Sequence, residues 1–352
     1  MRKINKKYWL KEKEFLIDLT LSENPLGIPS IIKREINLEV SRYPKTKKLI
    51  EAVSIRFCVP KENIIVGAGV DEFIGLIPQL LLKKGDLVLM PKVTFPRFEM
   101  TTRIFSGKPV FIQMREDLKI DFAAFEKRIQ RRVKLIFIAN PNNPTGLVED
   151  KKKIIKLVKK TKAILVDDEA GIDFVGEENS LVREAPKLKN LIVLRSFSKG
   201  FGMAGLRIGF CVASPGIIAG LQAIKPPFSV SSVSIEAAIL ALRDKEHLRK
   251  TKKFFKKEKK FLLENLKKLG FGVLPPESNF IFAGMNPIFS SAKDFIEAIN
   301  KKGANCVDGE NFHMPRFIRI SPRDREKNEK FIQTVGEVIK ERSKQLHLVG
   351  RG

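Results

Sequence analysis

The chain has few of the residues that build disulfide frameworks and common metal sites. Its 352 residues include three cysteines, three histidines and one tryptophan. The cysteines (Cys58, Cys211 and Cys306) are widely spaced and odd in number, so they predict neither a disulfide framework nor a zinc site. They fit a reducing, cytoplasmic compartment. No cluster of histidines and cysteines accompanies an acidic segment, and we therefore expect no bound metal.

Long apolar runs are also missing. No stretch reaches the roughly 20 apolar residues that a bilayer-spanning helix needs. The segment MRKINKKYWLKEKEF (1–15) is basic but lacks an apolar core, so we do not interpret it as a secretory signal. Hydrophobic residues nevertheless make up 43% of the chain, which predicts a globular protein with a large core and two domains.

Acidic residues are scarce relative to basic ones. The chain has 66 lysines and arginines against 40 acidic residues, a formal net charge of +26. This excess makes nucleic-acid binding an alternative function, and it would also attract an anionic substrate. The lysines, however, concentrate at 151–162 and 250–270, where apolar residues recur at helical spacing. We therefore expect solvated helix faces, and in the second helix we expect the inward-facing residues to be Phe254, Phe261, Leu262 and Leu266.

The most informative segment is a lysine loop. Residues 195–210 read RSFSKGFGMAGLRIGF, in which Lys199 lies near Ser196, Ser198 and Arg207. A lysine amine is a nucleophile when it is deprotonated and held against an electrophile. Serine hydroxyls and an arginine fork are suitable ligands for a phosphate. Together they predict a lysine that forms a Schiff base with pyridoxal phosphate, although the segment alone could also be a basic surface turn.

Two further segments favour the cofactor. IANPNNPTG (138–146) follows an apolar run, which places Asn143 at the carboxyl end of a predicted strand, where open α/β sheets bind ligands. AILVDDEAGIDF (163–174) is another apolar strand that ends in acids. A carboxylate at that position could keep a pyridine nitrogen protonated. The structural alternatives are an Asn-Pro turn for the first segment and a helix cap for the second.

In this order, the three segments resemble the fold-type I, pyridoxal phosphate-dependent aminotransferases of class I/II, and most closely the histidinol-phosphate aminotransferase group. The resemblance covers nearly the whole chain, and its most specific parts are the lysine loop and NPNNPTG. Other matching stretches are LSENPLG (21–27), RYP (42–44), VGAGVDE (66–72), VTFPRFE (93–99), SNF (278–280) and FIRIS (317–321). The resemblance implies amino transfer between small molecules in amino-acid and histidine biosynthesis, by a homodimer with shared active sites.

The resemblance also implies roles for individual residues. Lys199 would form the Schiff base and act as general acid and base. Asp168, in preference to Asp167, would pair with the pyridine nitrogen. Asn143 would hold the ring oxygen, and Phe95 would cover one face of the ring.

The remaining roles concern the phosphate and the substrate. An apolar run at 73–82 predicts a helix that begins at about residue 70, and the free N–H groups of a helix N-terminus suit an anion. The expected phosphate ligands are Gly69, the amides of Val70 and Asp71, Ser196, Ser198, Arg207, and Tyr43 of the second subunit. Arg319 would clamp the substrate carboxylate, a bidentate task that lysine performs poorly. Asn24 is expected in the substrate loop.

The apolar pattern predicts an α/β fold. Seven strands are expected at 64–66, 86–90, 109–114, 135–139, 163–166, 191–194 and 208–213. Because helical patterns lie between many of them, we predict a large cofactor-binding domain with a mostly parallel seven-stranded sheet. Strands near 271–274, 280–283 and 317–320 predict a smaller α+β C-terminal domain. The expected divisions are an N-terminal arm that packs with the small domain (1–40), the large domain (41–235) and the small domain (236–352).

Three positions depart from the pattern of the histidinol-phosphate aminotransferase group. Gly171 stands where relatives usually have tyrosine or phenylalanine, so we expect a raised pKa for the Lys199 Schiff base relative to relatives with that tyrosine. Asp308 follows Val307 where an arginine would hold a substrate phosphate, and an aspartate would repel it. Arg97, beside the ring stack, is either a substitute cation or a surface arginine.

These departures leave several functions open. The favoured function is transfer of an amino group between an amino acid or amino-alcohol phosphate and a 2-oxo acid. A threonine-phosphate decarboxylase-like lyase is an alternative, because the IDF at 172–174 also occurs in those enzymes. An aromatic- or aspartate-type aminotransferase is another. A non-catalytic protein on the same fold is disfavoured because the complete set of implied catalytic residues is present.

Overall fold

The computed structural model describes residues 14–37 and 40–349 of the chain. Its strands, in chain order, are β1 (Ile17–Asp18), β2 (Ile64–Gly67), β3 (Leu87–Pro91), β4 (Lys108–Ile112), β5 (Val133–Ala139), β6 (Ile164–Asp168), β7 (Leu191–Ser196), β8 (Gly209–Val212), β9 (Gly272–Val273), β10 (Ile281–Gly284), β11 (Ala304–Asn305), β12 (Val307–Asp308) and β13 (Phe317–Ile320). Its α-helices are α1 (Ser30–Glu35), α2 (Lys47–Phe57), α3 (Val70–Leu81), α4 (Arg97–Ile104), α5 (Phe122–Arg128), α6 (Lys151–Lys160), α7 (Pro215–Ile224), α8 (Ser232–Arg243), α9 (Lys245–Lys268), α10 (Ala292–Lys301) and α11 (Arg325–Val349).

A seven-stranded sheet forms the centre of the molecule. Its strand order is β2-β8-β7-β6-β5-β3-β4, and β8 runs antiparallel to both of its neighbours while the other pairs are parallel. The central strands are buried on both faces, which is why their sequences are nearly continuous apolar runs. The predicted α/β fold with a mostly parallel seven-stranded sheet is confirmed.

Helices cover both faces of this sheet. Buried side chains of α1, α2, α5, α6 and α8 pack on one face, and those of α3, α4 and α7 pack on the other. Since α8 belongs wholly to the first of these cores, the predicted boundary at residues 235 and 236 falls inside a helix. None of the helices in the described ranges is both long enough and apolar enough to cross a membrane.

A second, smaller unit contains the predicted C-terminal strands. Four antiparallel strands in the order β12-β13-β10-β9 pack with α9, α10 and α11 around a separate core. The N-terminal strand β1 pairs in parallel with β11, which aligns Ile17 with Ala304. Residues 17–18 therefore belong to the small unit. A pairing of two residues is too short to leave a periodic signal in the sequence.

The buried face of α9 differs in part from the predicted one. Phe255 is fully buried, whereas the predicted Phe254 is only half-buried. Leu262 and Leu266 are buried as predicted, and Phe261 packs against the same core while partly buried. The stripe also contains the buried Glu258, which forms an ion pair of 3.0 Å with the partly exposed Arg325. A charged residue in the core-facing stripe makes the apolar periodicity ambiguous, and this explains the wrong assignment of Phe254.

Candidate active site

The polar ends of three neighbouring strands meet in one cavity. β5, β6 and β7 run parallel, so their carboxyl ends lie at the same edge of the sheet. A cavity of about 540 Å³ lies there. It is lined by Leu21, Ser22, Glu23, Val70, Asp71, Ile74, Phe95, Ala139, Pro141, Asn143, Asp168, Ala170, Gly171, Ser196, Ser198, Lys199, Ala204, Arg207 and Arg319. The structure thus brings together most of the residues that the sequence predicted, from segments spread over the whole chain.

The two acids at the end of β6 point in opposite directions, because side chains alternate along a strand. Asp168 lines the cavity, and its Oδ1 accepts a hydrogen bond of 3.0 Å from the Ala170 N–H. Burial raises the pKa of Asp168 to about 6, an effect that the neighbouring Lys199 opposes. Asp167 is fully buried on the other face, in register with Ile138 and Val193, and its carboxylate oxygens have no hydrogen-bond partner among the described residues.

Lys199 lies in a tight loop after β7. Its carbonyl accepts a hydrogen bond of 3.1 Å from the Gly202 N–H, and its Nζ lies 5.7 Å from the centre of the Phe280 ring. Burial lowers the pKa of Lys199, Asp168 opposes this shift, and Arg319 adds to it. More of the amine is therefore unprotonated near neutral pH than in a solvated lysine, as a nucleophilic lysine requires.

Hydrogen-bond donors converge at the N-terminus of α3. Arg207 Nη1 donates to Ser198 Oγ at 3.4 Å, and Ser196 Oγ accepts from the Ser198 N–H at 3.0 Å. Gly69 caps α3 with φ +78°, and an added Cβ would lie 2.8 Å from Arg207 Nη2. Arginine, hydroxyls and free helix N–H groups form a cradle that suits a phosphate, and the absence of a side chain at Gly69 keeps it open.

Two arginines approach Asp71 at the rim of this cradle. Arg97 Nε lies 3.4 Å from Asp71 Oδ1, and Arg207 Nη2 lies 3.9 Å from Asp71 Oδ2. Arg97 is absent from the described lining of the cavity. Of the two interpretations of Arg97, its position favours a surface arginine over a substitute cation for the substrate.

Arg319 connects the small unit to the NPNNPTG turn. Its Nη1 donates to Asn143 Oδ1 at 2.7 Å, and its Nη2 donates to the Thr20 carbonyl at 2.9 Å. The first bond leaves the Asn143 Nδ2 group free to donate into the cavity. Burial lowers the pKa of Arg319 to about 10, so the guanidinium remains charged at neutral pH.

Three predicted residues are absent from the described lining of this cavity: Gly69, which caps α3 beside Arg207, Asn24 and Tyr43. Asn24, which we expected in the substrate pocket, is buried, and its Nδ2 donates to the Gly200 carbonyl at 3.2 Å and to Thr251 Oγ1 at 3.0 Å. Asn24 therefore stabilises the loop that contains Lys199 through its bond to the Gly200 carbonyl. Its neighbours at 21–23 line the cavity. Tyr43 is 76% exposed and stacks on Phe228 with 4.4 Å between ring centroids, away from the described lining of its own chain's cavity.

The departures from the family pattern have distinct positions. Gly171 lines the cavity, and a Cβ there would lie 2.9 Å from Ser278 Oγ and 3.3 Å from Pro141 Cγ. Asp308 caps a short 3₁₀ turn, since its Oδ1 accepts from the Glu310 N–H at 2.9 Å. Within the described part of the chain, Asp308 is not among the residues that line the cavity.

Sequence reasoning missed one ion pair at the cavity edge. Glu23 lines the cavity, and its Oε2 accepts from Arg323 Nη1 at 3.0 Å. Glu23 lies within LSENPLG, so the motif could have identified it. Arg323 had no signal, because only the fold brings together two residues that are 300 positions apart.

The side chains in the cavity fit pyridoxal phosphate. They provide a phosphate cradle at Gly69 and Arg207, a buried carboxylate at Asp168, an amide donor at Asn143 and an amine at Lys199. Among the described residues, no group of three or more histidines, cysteines and acids is placed to hold a metal ion. The donors therefore match the chemical groups of the organic cofactor.

Comparisons with known proteins agree with this geometry. The family described as "Aminotransferase class I and II" matches residues 16–335. The histidinol-phosphate aminotransferase of Caldicellulosiruptor saccharolyticus is 33% identical over 338 residues, which covers 93% of this chain and 92% of that protein. The crystal structure of the Clostridium acetobutylicum histidinol-phosphate aminotransferase superposes with a TM-score of 0.85 at 26% identity, covering 93% of this chain and all of that one (100%).

A structure solved with the cofactor has the same fold. The Sinorhizobium meliloti histidinol-phosphate aminotransferase, in complex with pyridoxal-5'-phosphate, gives a TM-score of 0.86 at 22% identity, covering 94% of this chain and 92% of that one. The family match spans most of the chain, and the cavity carries the matching donors. The chain therefore belongs to the class I and II aminotransferases and is an enzyme whose cofactor is pyridoxal 5'-phosphate.

Proposed function

We propose that this enzyme transfers an amino group between an amino-alcohol phosphate of the histidinol phosphate type and a 2-oxo acid, as a step of histidine biosynthesis. The observation that carries the proposal is the 33% identity to a histidinol-phosphate aminotransferase over 92% of that protein's length. The position of Asp308 supports it as well. Its carboxylate caps a turn and is absent from the described cavity lining, which weakens the expectation that it repels a substrate phosphate.

The cofactor would be held by the residues that converge on the cavity. Ser196, Ser198, Arg207 and the first N–H groups of α3 would bind its phosphate. Asp168 would face the ring nitrogen, Asn143 Nδ2 the ring oxygen, and Phe95 one face of the ring. When bound, the cofactor supplies an electron-withdrawing ring that makes the substrate C–H next to the nitrogen acidic.

Lys199 would attach the cofactor and then act as the general acid and base. Its burial favours the neutral amine, which can accept a proton. With Asp168 holding the ring, Lys199 Nζ would accept the proton from the amine-bearing carbon of the amino donor. In the second half-reaction it would deliver a proton to the carbonyl carbon of the 2-oxo acid. Burial also excludes water, so the Asp168 carboxylate interacts more strongly with a neighbouring positive charge than it would in solvent.

Arg319 would bind the anionic group of each substrate. Its guanidinium already donates to Asn143 and Thr20, which fixes its plane, and a fixed fork suits a carboxylate or a phosphate. The same cation can serve the phosphate of the amino-alcohol and the carboxylate of the 2-oxo acid in turn. This dual use suits a reaction whose two substrates occupy one site alternately.

The proposed enzyme is a homodimer in which Tyr43 reaches the cofactor phosphate of the partner. The exposed aromatic pair of Tyr43 and Phe228 supports this arrangement, since two large apolar rings stacked at a surface are typical of an interface. A two-fold dimer would bring two equivalent copies of the pair together.

The proposal includes the domain division and the location of the enzyme. The core around α9, α10 and α11 supports a small C-terminal domain, and the pairing of β1 with β11 supports an arm (1–40) that packs on it. Residues 1–13 and 38–39 of that arm lie outside the described residues. The large domain, predicted as 41–235, would extend to the end of α8 at Arg243. The remaining residues of the predicted 236–352 would form the small domain. The free thiols of Cys58, Cys211 and Cys306 support a cytoplasmic enzyme.

The absorption spectrum of the protein loaded with pyridoxal phosphate tests the reaction. We expect a cofactor band that L-histidinol phosphate converts to the pyridoxamine form and that a 2-oxo acid restores. Glutamate and phosphothreonine are the comparison donors, with evolved carbon dioxide measured for each. A band that responds only to glutamate would overturn the proposed assignment of histidinol phosphate as a substrate. Carbon dioxide release from phosphothreonine would indicate the lyase alternative.

Mixing two inactive variants tests the shared site. Lys199→Ala lacks the catalytic amine, and Tyr43→Ala lacks the contact offered to the partner. If Tyr43 acts across the interface, a mixed dimer has one site with both defects and one intact site. We expect activity to return on mixing, up to about one quarter of the wild-type value for random pairing. No recovery, with mixed dimers verified by mass spectrometry, would overturn the shared site.

A further inference from the structure

A buried arginine behind the cavity binds three acids at once. Arg195 precedes Ser196 on β7, and its side chain points to the opposite face of the sheet, where it is 2% exposed. Its Nη2 lies 3.1 Å from Asp173 Oδ1 and 2.7 Å from Glu177 Oε1, and its Nη1 lies 3.6 Å from Glu169 Oε2. Its guanidinium also covers the Phe57 ring, with 4.7 Å between Cζ and the ring centroid.

This group of charges extends to the two central residues of the site. Glu169 follows Asp168 directly, and its carboxylate accepts from Ser180 Oγ and the Leu181 N–H. Asp173 packs against the backbone next to Lys199. A Cβ added at Gly200 would lie 2.5 Å from both the Cβ and the Oδ2 of Asp173. The loop that carries Lys199 therefore rests on a carboxylate whose position Arg195 fixes.

We propose that Arg195 is a positioning residue for Lys199, acting through Asp173, which it holds against Gly200. The inference rests on the proposed role of Lys199 in binding the cofactor. Arg195 has no place in the described lining of the cavity, so any effect on the reaction must pass through these neighbours. Glu177, which also pairs with Arg195 at 2.7 Å, provides a matched comparison, because its charge is not among the main charges that shift the pKa of Lys199.

The charges around Lys199 and Asp173 set the direction in which the pKa of Lys199 should shift. Lys199 is influenced by Asp168 on β6, Asp71 on α3, Arg319 on β13, and Asp173. Asp173 raises the pKa of Lys199, so loss of the Asp173 charge should lower it further.

Asp173 in turn faces Arg195, Glu177 and Lys252. Burial raises the pKa of Asp173 to about 6, and Arg195 opposes that shift. Without the arginine, Asp173 would become protonated more readily. Both Arg195→Gln, which removes the positive charge, and Asp173→Asn should therefore shift the pKa of Lys199 in the same direction.

The test measures the pH at which the Lys199 amine loses its proton in the cofactor-free protein. Acetic anhydride modifies unprotonated amines, and peptide mass spectrometry reports the extent of labelling of Lys199 at each pH. We expect Asp173→Asn and Arg195→Gln to move the midpoint of labelling down by about one pH unit. Glu177→Gln should leave it within error of the wild type. Labelling does not depend on the substrate, so a failure with histidinol phosphate would leave this measurement intact.

The loaded enzyme provides the second measurement. We expect kcat to fall about 10- to 100-fold in Asp173→Asn while KM changes little, because a displaced Lys199 loses alignment and not substrate binding. If Arg195→Gln does not fold, Asp173→Asn decides the outcome alone. Lower thermal stability with an unchanged labelling midpoint and unchanged kcat would mean that the cluster is only structural, and the proposal would be overturned.

Discussion

Arg319 donates a hydrogen bond of 2.7 Å to the Asn143 side-chain oxygen, which joins the small antiparallel sheet to the turn after β5 across 176 residues of sequence. This bond fixes the direction of the Asn143 amide, because the oxygen faces Arg319 and the Nδ2 must face the cavity. One arginine therefore orients a cofactor ligand and offers a charged fork to the substrate. Replacing it should affect both tasks.

The first prediction concerns this arginine. Lysine keeps the charge at position 319 but cannot donate to Asn143 and Thr20 together and still bind an anion bidentately. We expect Arg319→Lys to raise KM for both substrates by about 10- to 100-fold, the equivalent of one or two charged hydrogen bonds. Steady-state kinetics with each substrate varied would check this. Equal KM values in variant and wild type would show that the substrate anion binds elsewhere.

The second prediction concerns the phosphate cradle. Gly69→Ala places a methyl group 2.8 Å from Arg207 Nη2 at a backbone φ of +78°. With ψ at 175° this is a backbone conformation that essentially only glycine adopts, which costs a residue with a side chain about 1–3 kcal/mol, and Arg207 must also move. We expect the dissociation constant for pyridoxal phosphate, measured by fluorescence titration, to rise about tenfold or more.

Gly75 is the matched control for that experiment. It lies in the same helix, and an added Cβ there meets no atom within 4 Å. Gly75→Ala should leave cofactor affinity unchanged and stabilise the protein by up to about 1 kcal/mol through helix propensity. Equal affinities in the two variants would contradict the proposed cradle.

The third prediction tests the missing aromatic residue at Gly171. A tyrosine hydroxyl near the ring oxygen would stabilise the deprotonated Schiff base and lower its pKa. The Cβ of that tyrosine would lie 2.9 Å from Ser278 Oγ, so the informative variant is Gly171→Tyr combined with Ser278→Ala. We expect the absorbance titration of the bound cofactor to shift to lower pH. Gly171→Phe with Ser278→Ala lacks the hydroxyl and should not shift; equal midpoints for both pairs would refute the hypothesis.

The fourth prediction concerns the buried acid that the site does not use. Burial raises the pKa of Asp167 well above its usual value, and Glu169 and Asp168 add to the effect. The folded protein thus holds this proton more tightly than the unfolded chain, whose aspartates titrate near pH 3.9. The free energy of unfolding should therefore fall as pH rises from about 4 towards the folded-state pKa.

Asp167→Val removes that cost in a strand where the paired residues are Ile138 and Val193. We expect it to raise the free energy of unfolding at pH 8 by about 1–3 kcal/mol, with a smaller gain at pH 5. Urea denaturation at a fixed protein concentration would measure both. Asp167→Asn keeps the shape without the charge and should give an intermediate gain. A valine variant less stable than the wild type at pH 8 would disprove this account of Asp167.

The sequence predicted those parts of the fold and site whose signals are local. All seven strands of the large sheet were recognised as apolar runs. The central strands give such runs because they are buried on both faces. The edge strand β4 is only partly buried but is still mostly apolar. The choice of Asp168 over Asp167 came from a motif, and the alternation of β6 gives its physical reason. The sequence could assign Lys199, Arg207 and Arg319 to one site because each lies in a recognisable segment, and all three line the same cavity.

Residues that act across long distances could not be predicted in the same way. Asn24 belongs to a predicted substrate loop, yet tertiary contacts with Gly200 and Thr251 turn it away from the cavity. In the sequence, Arg195 does not differ from the many other basic residues of the chain. Only the fold places Glu169, Asp173 and Glu177 around it. Short pairings such as β1 with β11 leave no periodic signal at all.

The contact between the first and last parts of the chain has a consequence for synthesis on the ribosome. Thr20 receives its hydrogen bond from Arg319, and the Leu19 carbonyl receives one from the Ser321 N–H. The large sheet ends at residue 212, so it can form while the remaining chain is still being translated. The wall of the cavity that contains residues 21–23 and 319 cannot close until translation has passed Ser321. A nascent chain would therefore acquire its fold well before it acquires a complete active site.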